Sequence, residues 1–143
     1  MGFPMDQETR IEHIAIAVAD LDTAVSVFTS ILGRPDSGRE LVESEQVKVA
    51  FFDLGSARIE LLEPTADDSP VGRFLQRRGA GLHHVALEVP NIDAAIDRCR
   101  AAGLQTVGEA PRRGACGRLV AFLHPSSTEG VLLELSEPPR PVD

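Results

Sequence analysis

The chain of 143 residues is 43% hydrophobic and 25% charged, so it is long enough to bury a core without disulfides. Its net charge of −8 argues against general binding to nucleic acid or to anionic membrane surfaces. It has no run of eighteen apolar residues, and the opening MGFPMDQETR lacks the basic start and apolar stretch of a secretory signal. We therefore expect one domain, residues 1–143, located in the cytoplasm.

The first predicted elements are a strand and a helix within IEHIAIAVADLDTAVSVFTSILG, residues 11–33. Apolar residues alternate at the start, which predicts a strand, and then recur at helical spacing. Asp20 is expected to cap the helix by accepting a hydrogen bond from a free amide, and Gly33 is expected to end it. The helix should pack one face on a sheet.

A hairpin and a short helix are predicted next. VKVAFFDLGSARIELLEP, from Val47, has two β-rich arms around a glycine-bearing turn. Ser69 and Pro70 are a typical N-cap and first helical residue, and an arginine-rich stretch follows them. Residues of about 65–80 are therefore expected to form a helical connection.

The second half of the chain repeats the first. LHHVALEVPNIDAAIDRCRAAGL, residues 82–104, again predicts a strand and a helix, with Asn91 as N-cap and Gly103 as C-cap. RLVAFLHPSSTEGVLLELSEP, from Arg118, predicts a second hairpin, in which LELSEP echoes IELLEP. The repeat predicts a first module of about residues 10–64 and a second module of about residues 81–138.

Two histidines and two glutamates recur at matching places in the modules. His84 follows His13 by 84 − 13 = 71 residues, and Glu134 follows Glu60 by 134 − 60 = 74, since the turn HPSSTEG is longer. Each glutamate lies mid-strand between apolar neighbours, where a buried carboxylate is costly unless it is paired or bound to metal. Imidazole and carboxylate groups suit first-row divalent ions. We therefore predict one metal site formed by His13, Glu60, His84 and Glu134.

Simpler interpretations of these residues exist. A single histidine on a strand is usually a satisfied core residue, and a mid-strand glutamate often lies on a solvated edge. Recurrence at repeat-equivalent positions favours metal binding over both. His83 is an alternative ligand next to His84 but on the opposite strand face, and the alignment with His13 favours His84.

These residues resemble the vicinal oxygen chelate superfamily, in which two paired βαβββ modules form a cupped mixed sheet around a divalent ion. The resemblance covers nearly the whole chain and implies an α+β fold. Within the superfamily, the blocks HPSSTEGVLLEL and LLEP followed by DSP are most similar to the methylmalonyl-CoA epimerase family.

The resemblance implies an isomerase that epimerises methylmalonyl-CoA, or a close acyl-CoA, at the carbon next to the thioester. It implies the same four ligands and a divalent ion, with Co2+ expected and Zn2+, Ni2+, Mn2+ or Mg2+ as alternatives. The metal would stabilise an enolate while two groups transfer protons, with Glu134 the first candidate and Glu60 its partner. Some members have Gln at the position of Glu60 and a separate glutamate on the preceding strand, where this chain has Val49.

Basic residues surround the loop GACG and are candidates for binding the anionic substrate. Guanidinium groups and loop amides can bind phosphate or carboxylate, although a solvated loop is the simpler interpretation. The predicted substrate-binding residues are Arg112, Arg113, Gly114 and Arg118.

Three other functions are possible for this fold. A glyoxalase I type lactoylglutathione lyase would use the same four ligands. An extradiol dioxygenase is disfavoured because the chain has no Tyr to act as an accessory acid. A non-catalytic ligand-binding protein is disfavoured because such pockets usually have aromatic walls, and the chain has no Trp and only six Phe. Since the family commonly forms dimers, a homodimer is expected.

Overall fold

The computed structural model describes residues 9–140, so most of the opening segment considered for a secretory signal lies outside the described residues. The elements in chain order are β1 (Arg10–Ala17), α1 (Leu21–Leu32), β2 (Gly38–Val42), β3 (Val47–Asp53), β4 (Arg58–Pro64), α2 (Pro70–Arg78), β5 (Gly81–Glu88), α3 (Ile92–Ala101), β6 (Thr106–Arg113), β7 (Leu119–Leu123) and β8 (Leu133–Glu137). Short 3-10 turns occupy Glu43–Glu45, Ala115–Gly117 and Pro125–Ser127. These elements confirm the α+β class. Across residues 9–140, none of the helices has the length and apolarity that crossing a bilayer requires.

The chain divides into two compact units. One runs from His13 to His83, and the other contains, among the described residues, 9–12 and 84–140. Helix α2 and the start of β5 therefore belong to the first of these units. The prediction of a single domain built from two modules stays a prediction.

The unit His13–His83 has four strands in the order β2-β3-β4-β1, with β1 parallel to β4 and the other pairs antiparallel. Helix α1 packs on one face of these strands because its apolar stripe meets the alternate apolar residues of β3 and β4. The buried cluster consists of Val18, Leu21, Val25, Ala50, Phe52 and Leu61. The opposite face of the same strands carries His13 and Glu60.

The other unit has its strands in the order β5-β8-β7-β6, with β5 parallel to β8 and β7 antiparallel to both of its neighbours. Helix α3 packs on one face, and the buried cluster consists of Val89, Ile92, Ala95, Ile96, Ala121 and Leu135. The opposite face carries His84 and Glu134. Each unit therefore separates an apolar helix-covered face from a face with buried polar groups.

Two of the three predicted N-caps are confirmed. The side chain of Asn91 accepts a hydrogen bond from the amide of Ala94 at 3.0 Å, and that of Ser69 accepts one from the amide of Gly72 at 3.1 Å. The prediction for Asp20 is wrong, since its carboxylate binds the Thr23 hydroxyl and makes no side-chain cap bond to the helix.

The predicted C-caps differ from each other. Gly33 ends α1 in the left-handed region at φ 72°, as predicted. Helix α3 is capped instead by Ala102, and Gly103, with φ 83°, lies one residue beyond the cap. Gly103 donates to the carbonyl of Arg100 at 3.0 Å, so its positive φ turns the chain after the last helical bonds are made.

The hydrophobic pattern did not predict β2 or β6, which only the family resemblance implied. Strand β2 pairs with β3, and β6 pairs with β7 with a register shift between Val107 and Arg112. Both are outer strands of their units and are largely exposed or half-buried. Their composition therefore lacks the apolar alternation that marks the inner strands.

Candidate metal centre

A buried histidine and a buried glutamate meet in the unit His13–His83. The Nδ1 atom of His13, on β1, lies 3.1 Å from Oε2 of Glu60, on β4. The two residues are 4% and 3% exposed, which removes both from the screening of bulk water. In the parallel register of these strands Glu60 lies opposite Ala15, whose methyl group leaves space beside the two polar groups.

The second unit contains the equivalent pair. The Nε2 atom of His84, on β5, lies 3.5 Å from Oε1 of Glu134, on β8, and both residues are 6% exposed. Glu134 lies opposite Ala86, as Glu60 lies opposite Ala15. Each module therefore places its glutamate across from the alanine that follows its histidine by two residues.

A phenylalanine lies opposite each glutamate on the neighbouring antiparallel strand. Phe51 pairs with Glu60, and Phe122 pairs with Glu134. The Phe122 ring contacts His84 edge-on, with ring centroids 5.2 Å apart. Sequence reasoning missed both aromatic residues, although their separation of 122 − 51 = 71 equals that of the two histidines. These rings form apolar walls beside the buried polar pairs.

His83 has different surroundings from its neighbour His84. Its ring packs edge-on against Phe74, with centroids 5.0 Å apart, and burial lowers its pKa from 6.5 to about 4. The imidazole is therefore neutral at pH 7 and takes part in packing. This geometry supports the choice of His84 as a ligand, which stays a prediction.

The donor chemistry of the two pairs fits a divalent ion. Imidazole nitrogen and carboxylate oxygen are ligands shared by Co2+, Zn2+, Ni2+ and Mn2+, and all four residues belong to buried groups able to hold a metal. A carboxylate this deeply buried requires a proton, a cation or a metal to compensate its charge. The identity of the ion stays a prediction.

The position that some family members fill with a further glutamate carries Val49, which is 1% exposed. It lies on β3 two residues before Phe51 and so shares its face. An isopropyl group cannot transfer a proton. Any such step must use other residues of this chain.

An arginine that sequence reasoning did not select contacts one of the pairs. Nη2 of Arg58, on β4, lies 3.0 Å from Oε2 of Glu60, the same oxygen that faces His13. The only sequence signal was its position two residues before Glu60, which puts both on one strand face. Its guanidinium lies over the Phe51 ring at 4.9 Å.

The predicted substrate-binding residues fall into two groups. Arg112 and Arg113 end β6, and Gly114 follows them before the turn Ala115–Gly117. The guanidinium of Arg112 lies 5.2 Å from the centroid of the Phe122 ring. Arg112 therefore borders the polar face of its unit, whereas the exposed Arg113 pairs with Leu119, which packs against the core cluster under α3. Substrate binding by this segment stays a prediction.

Arg118 is engaged within the protein. Its guanidinium donates to Glu88 at 2.6 Å and to Ser136 at 2.7 Å and lies 3.5 Å from Glu12. Burial raises the pKa of Glu88, but hydrogen bonds from Arg118 and Arg10 outweigh that effect and hold it below its usual value. This network accounts for Arg118 without a ligand.

Comparison with known proteins gives consistent matches over most of the chain. Residues 12–122 match the family model of the glyoxalase/bleomycin resistance protein/dioxygenase superfamily. The uncharacterized protein YqjC of Bacillus subtilis is 41% identical over 129 residues, which cover 90% of this chain and 92% of that protein. Human mitochondrial methylmalonyl-CoA epimerase is 39% identical over 142 residues, covering 94% and 81%.

A solved structure of a methylmalonyl-CoA epimerase in complex with methylmalonyl-CoA and NH4+ superimposes with a TM-score of 0.86. It is 38% identical, and the match covers 91% of this chain and 94% of that one. The similarity therefore extends to a protein whose structure holds an acyl-CoA ligand.

Proposed function

Because the chain belongs to the glyoxalase/bleomycin resistance protein/dioxygenase superfamily, we propose that it is a metal-dependent epimerase of methylmalonyl-CoA or a close acyl-CoA. The observation that carries the proposal is the pair of buried His–Glu contacts at repeat-equivalent positions. Identity near 40% to epimerases, over nearly the full chain, supports the choice of substrate class.

The ligands of the proposed site are His13, Glu60, His84 and Glu134. Two neutral imidazoles and two carboxylates would balance the charge of one divalent ion. When bound, the ion would supply Lewis-acid stabilisation of negative charge that develops on the substrate oxygens. Phe51 and Phe122 would exclude water from one side of each carboxylate, which strengthens electrostatic interactions there.

Epimerisation requires one proton to leave the α-carbon and one to return on the opposite face. In the proposed step the α C–H bond breaks, its electron pair enters the thioester to give an enolate, and the carboxylate of Glu134 takes the proton. For this step Glu60 is the proposed partner, having taken a proton from water and loosened from the ion, and it gives that proton to the other face, which rebuilds the bond with inverted configuration. Each turnover leaves Glu134 protonated and Glu60 ionised, and exchange of both with water resets the site. Each positioned acid or base group contributes about 10²-fold to 10⁴-fold. The step needs no oxidant or reductant.

The experiment is deuterium incorporation at the α-carbon of methylmalonyl-CoA in D2O, measured with purified protein before chelation, after chelation and after metal add-back. We expect rapid exchange that chelation abolishes and Co2+ restores. Absence of exchange from metal-loaded protein would reject the proposal. A parallel assay with methylglyoxal and glutathione distinguishes the epimerase from a glyoxalase I type enzyme, because only the latter consumes the hemithioacetal.

A further inference from the structure

Arg58 is a partly buried cation beside the first His–Glu pair. It is the first residue of β4 and lies opposite His13 on the neighbouring strand β1, and its side chain is 21% exposed. Glu60 follows two residues later, so both side chains project from the face opposite α1. The repeat-equivalent position in the second module, 58 + 74 = 132, is Leu132. The cation therefore distinguishes one module from the other.

Two contacts fix the guanidinium at this place. Its Nη2 donates to Oε2 of Glu60 at 3.0 Å, and its Cζ lies 4.9 Å from the centroid of the Phe51 ring. The ring attracts the cation through its negative face, and the carboxylate orients the planar donor group. A partly exposed guanidinium held on two sides is oriented in advance for an anion that arrives from solvent.

The chemistry of the proposed substrate calls for such a group. A malonyl-type acyl group carries a carboxylate on the same carbon that loses the proton. The two glutamates would already balance the charge of the divalent ion, so the carboxylate of the substrate adds a negative charge that a further cation can compensate. A guanidinium has five N–H donors in a planar fork and can bind Glu60 and a second carboxylate at once.

We infer that Arg58 is the residue that binds the carboxylate of the acyl group and so selects malonyl-type thioesters over simple acyl thioesters. This inference rests on the proposed function for its substrate class. It assigns Arg58 a role in specificity and leaves proton transfer to the glutamates. In the sequence, only its position two residues before Glu60 distinguishes this arginine from the thirteen other Lys and Arg residues.

The experiment compares malonyl-CoA with propionyl-CoA in calorimetric titrations of Co2+-loaded protein. The first has a carboxylate on the carbon next to the thioester, and the second has a methyl group in its place. For Arg58→Gln we expect malonyl-CoA to bind about 10-fold to 100-fold more weakly, as for loss of a charge-assisted hydrogen bond. The affinity for propionyl-CoA should change by less than about twofold. Arg58→Lys keeps the positive charge but loses the planar arrangement of N–H donors. Malonyl-CoA should therefore bind about threefold to 10-fold more weakly to this variant.

Arg39→Gln is the matched control, because Arg39 also pairs with a carboxylate, that of the exposed Asp22, at 2.6 Å. It changes the net charge equally and should leave both affinities unaltered. Bound Co2+, measured by emission spectroscopy, should be the same in all variants. In turnover, Arg58→Gln should raise KM for methylmalonyl-CoA more than it lowers kcat.

Three results would overturn the inference. These are unchanged binding of malonyl-CoA to Arg58→Gln, equal weakening of both ligands, or a loss of Co2+, which would assign Arg58 to holding Glu60 in place. The binding titrations need no turnover. Wild-type protein that discriminates through Arg58 but does not epimerise would refute only the proposed reaction. Wild-type protein that epimerises while Arg58→Gln keeps the preference would refute only the role of Arg58.

Discussion

The carboxylate of Glu63 accepts a hydrogen bond from the backbone amide of Leu21, with an Oε1 to N distance of 2.9 Å. Leu21 is the first residue of α1, so the contact satisfies an amide that the helix itself cannot bond. In the second module Oε1 of Glu137 binds the amide of Ile92 in the same way at 3.2 Å. Both glutamates follow a proposed metal ligand by three residues. Each helix start is thereby tied to a strand that carries such a ligand.

Glu137→Ala should lower the free energy of unfolding by about 2 kcal/mol, because it leaves the buried amide of Ile92 without its acceptor. Glu137 is 6% exposed, so water cannot fully replace the carboxylate. Urea denaturation followed by circular dichroism measures the change. Asp97→Ala, at an exposed site on α3, should change the free energy of unfolding by less than about 0.5 kcal/mol. Equal effects of the two variants would contradict the helix-capping role.

Metal binding should stabilise the protein only when His84 is present. An ion at 100 times its dissociation constant adds about 2.7 kcal/mol to the free energy of unfolding. We expect Co2+ to raise Tm for the wild type and for His83→Gln, and to have no effect on His84→Gln. The adjacent histidines make a matched pair for differential scanning calorimetry. A rise that depends on His83 and not on His84 would reverse the choice of ligand.

Glu134→Gln should lower turnover of methylmalonyl-CoA by at least about 100-fold, since an amide cannot take a proton from the α-carbon. The amide oxygen can still bind an ion, so part of the metal content should remain. Loss of stereochemical inversion is measured by separating the two epimers after reaction with metal-loaded protein. Full turnover by a metal-containing Glu134→Gln protein would exclude this residue as the base.

The free energy of unfolding should decrease in acid, partly because the carboxylate of Glu88 becomes protonated. Its folded-state pKa lies below the ordinary 4.5, because the hydrogen bonds from Arg118 and Arg10 outweigh the desolvation that raises it. Its contribution is therefore complete above the unfolded pKa and is lost as pH falls through the folded pKa. At pH 6, Glu88→Gln should cost about 1 to 2 kcal/mol, because solvent partly screens these ion pairs, and the difference from wild type should shrink steadily toward pH 3.

Urea denaturation at several pH values in the presence of chelator measures this difference. Asp22→Asn breaks the exposed ion pair with Arg39 and is the matched control, with an expected cost below about 1 kcal/mol. A Glu88→Gln difference that stayed constant between pH 6 and pH 3 would contradict the assigned pKa direction.

Local signals predicted those features that depend on neighbouring residues in sequence. Asn91 and Ser69 cap the helices that begin directly after them, and the alternating residues of β3 and β4 form the predicted hairpin. Asp20 failed because its carboxylate accepts a hydrogen bond from the Thr23 hydroxyl, while the first amide of the helix donates to Glu63, 43 residues later in the chain. A contact between residues so far apart in the chain cannot be predicted from the residues that neighbour either of them in sequence.

The candidate site likewise contains residues that the sequence predicted and residues that it did not. The repeat selected both His–Glu pairs, since duplication doubles the signal of each residue. Arg58 has no counterpart in the second module, so the repeat could not single it out. Arg118 matched the expectation for a substrate-binding cation, but its internal partners Glu88 and Ser136 became visible only from the strand arrangement. Its predicted role in binding substrate stays untested.

In each module, a glutamate on the strand that carries the proposed ligand accepts a hydrogen bond from the first amide of that module's helix. This residue is Glu63 in the first module and Glu137 in the second. A substitution in one module therefore leaves the helix anchor of the other intact. Such independence allows the polar faces of the two modules to differ in their side chains without loss of either helix anchor. Arg58 in the first module and Leu132 in the second are such a difference, so that one scaffold, used twice, has a cation in one module and an apolar side chain at the equivalent position of the other.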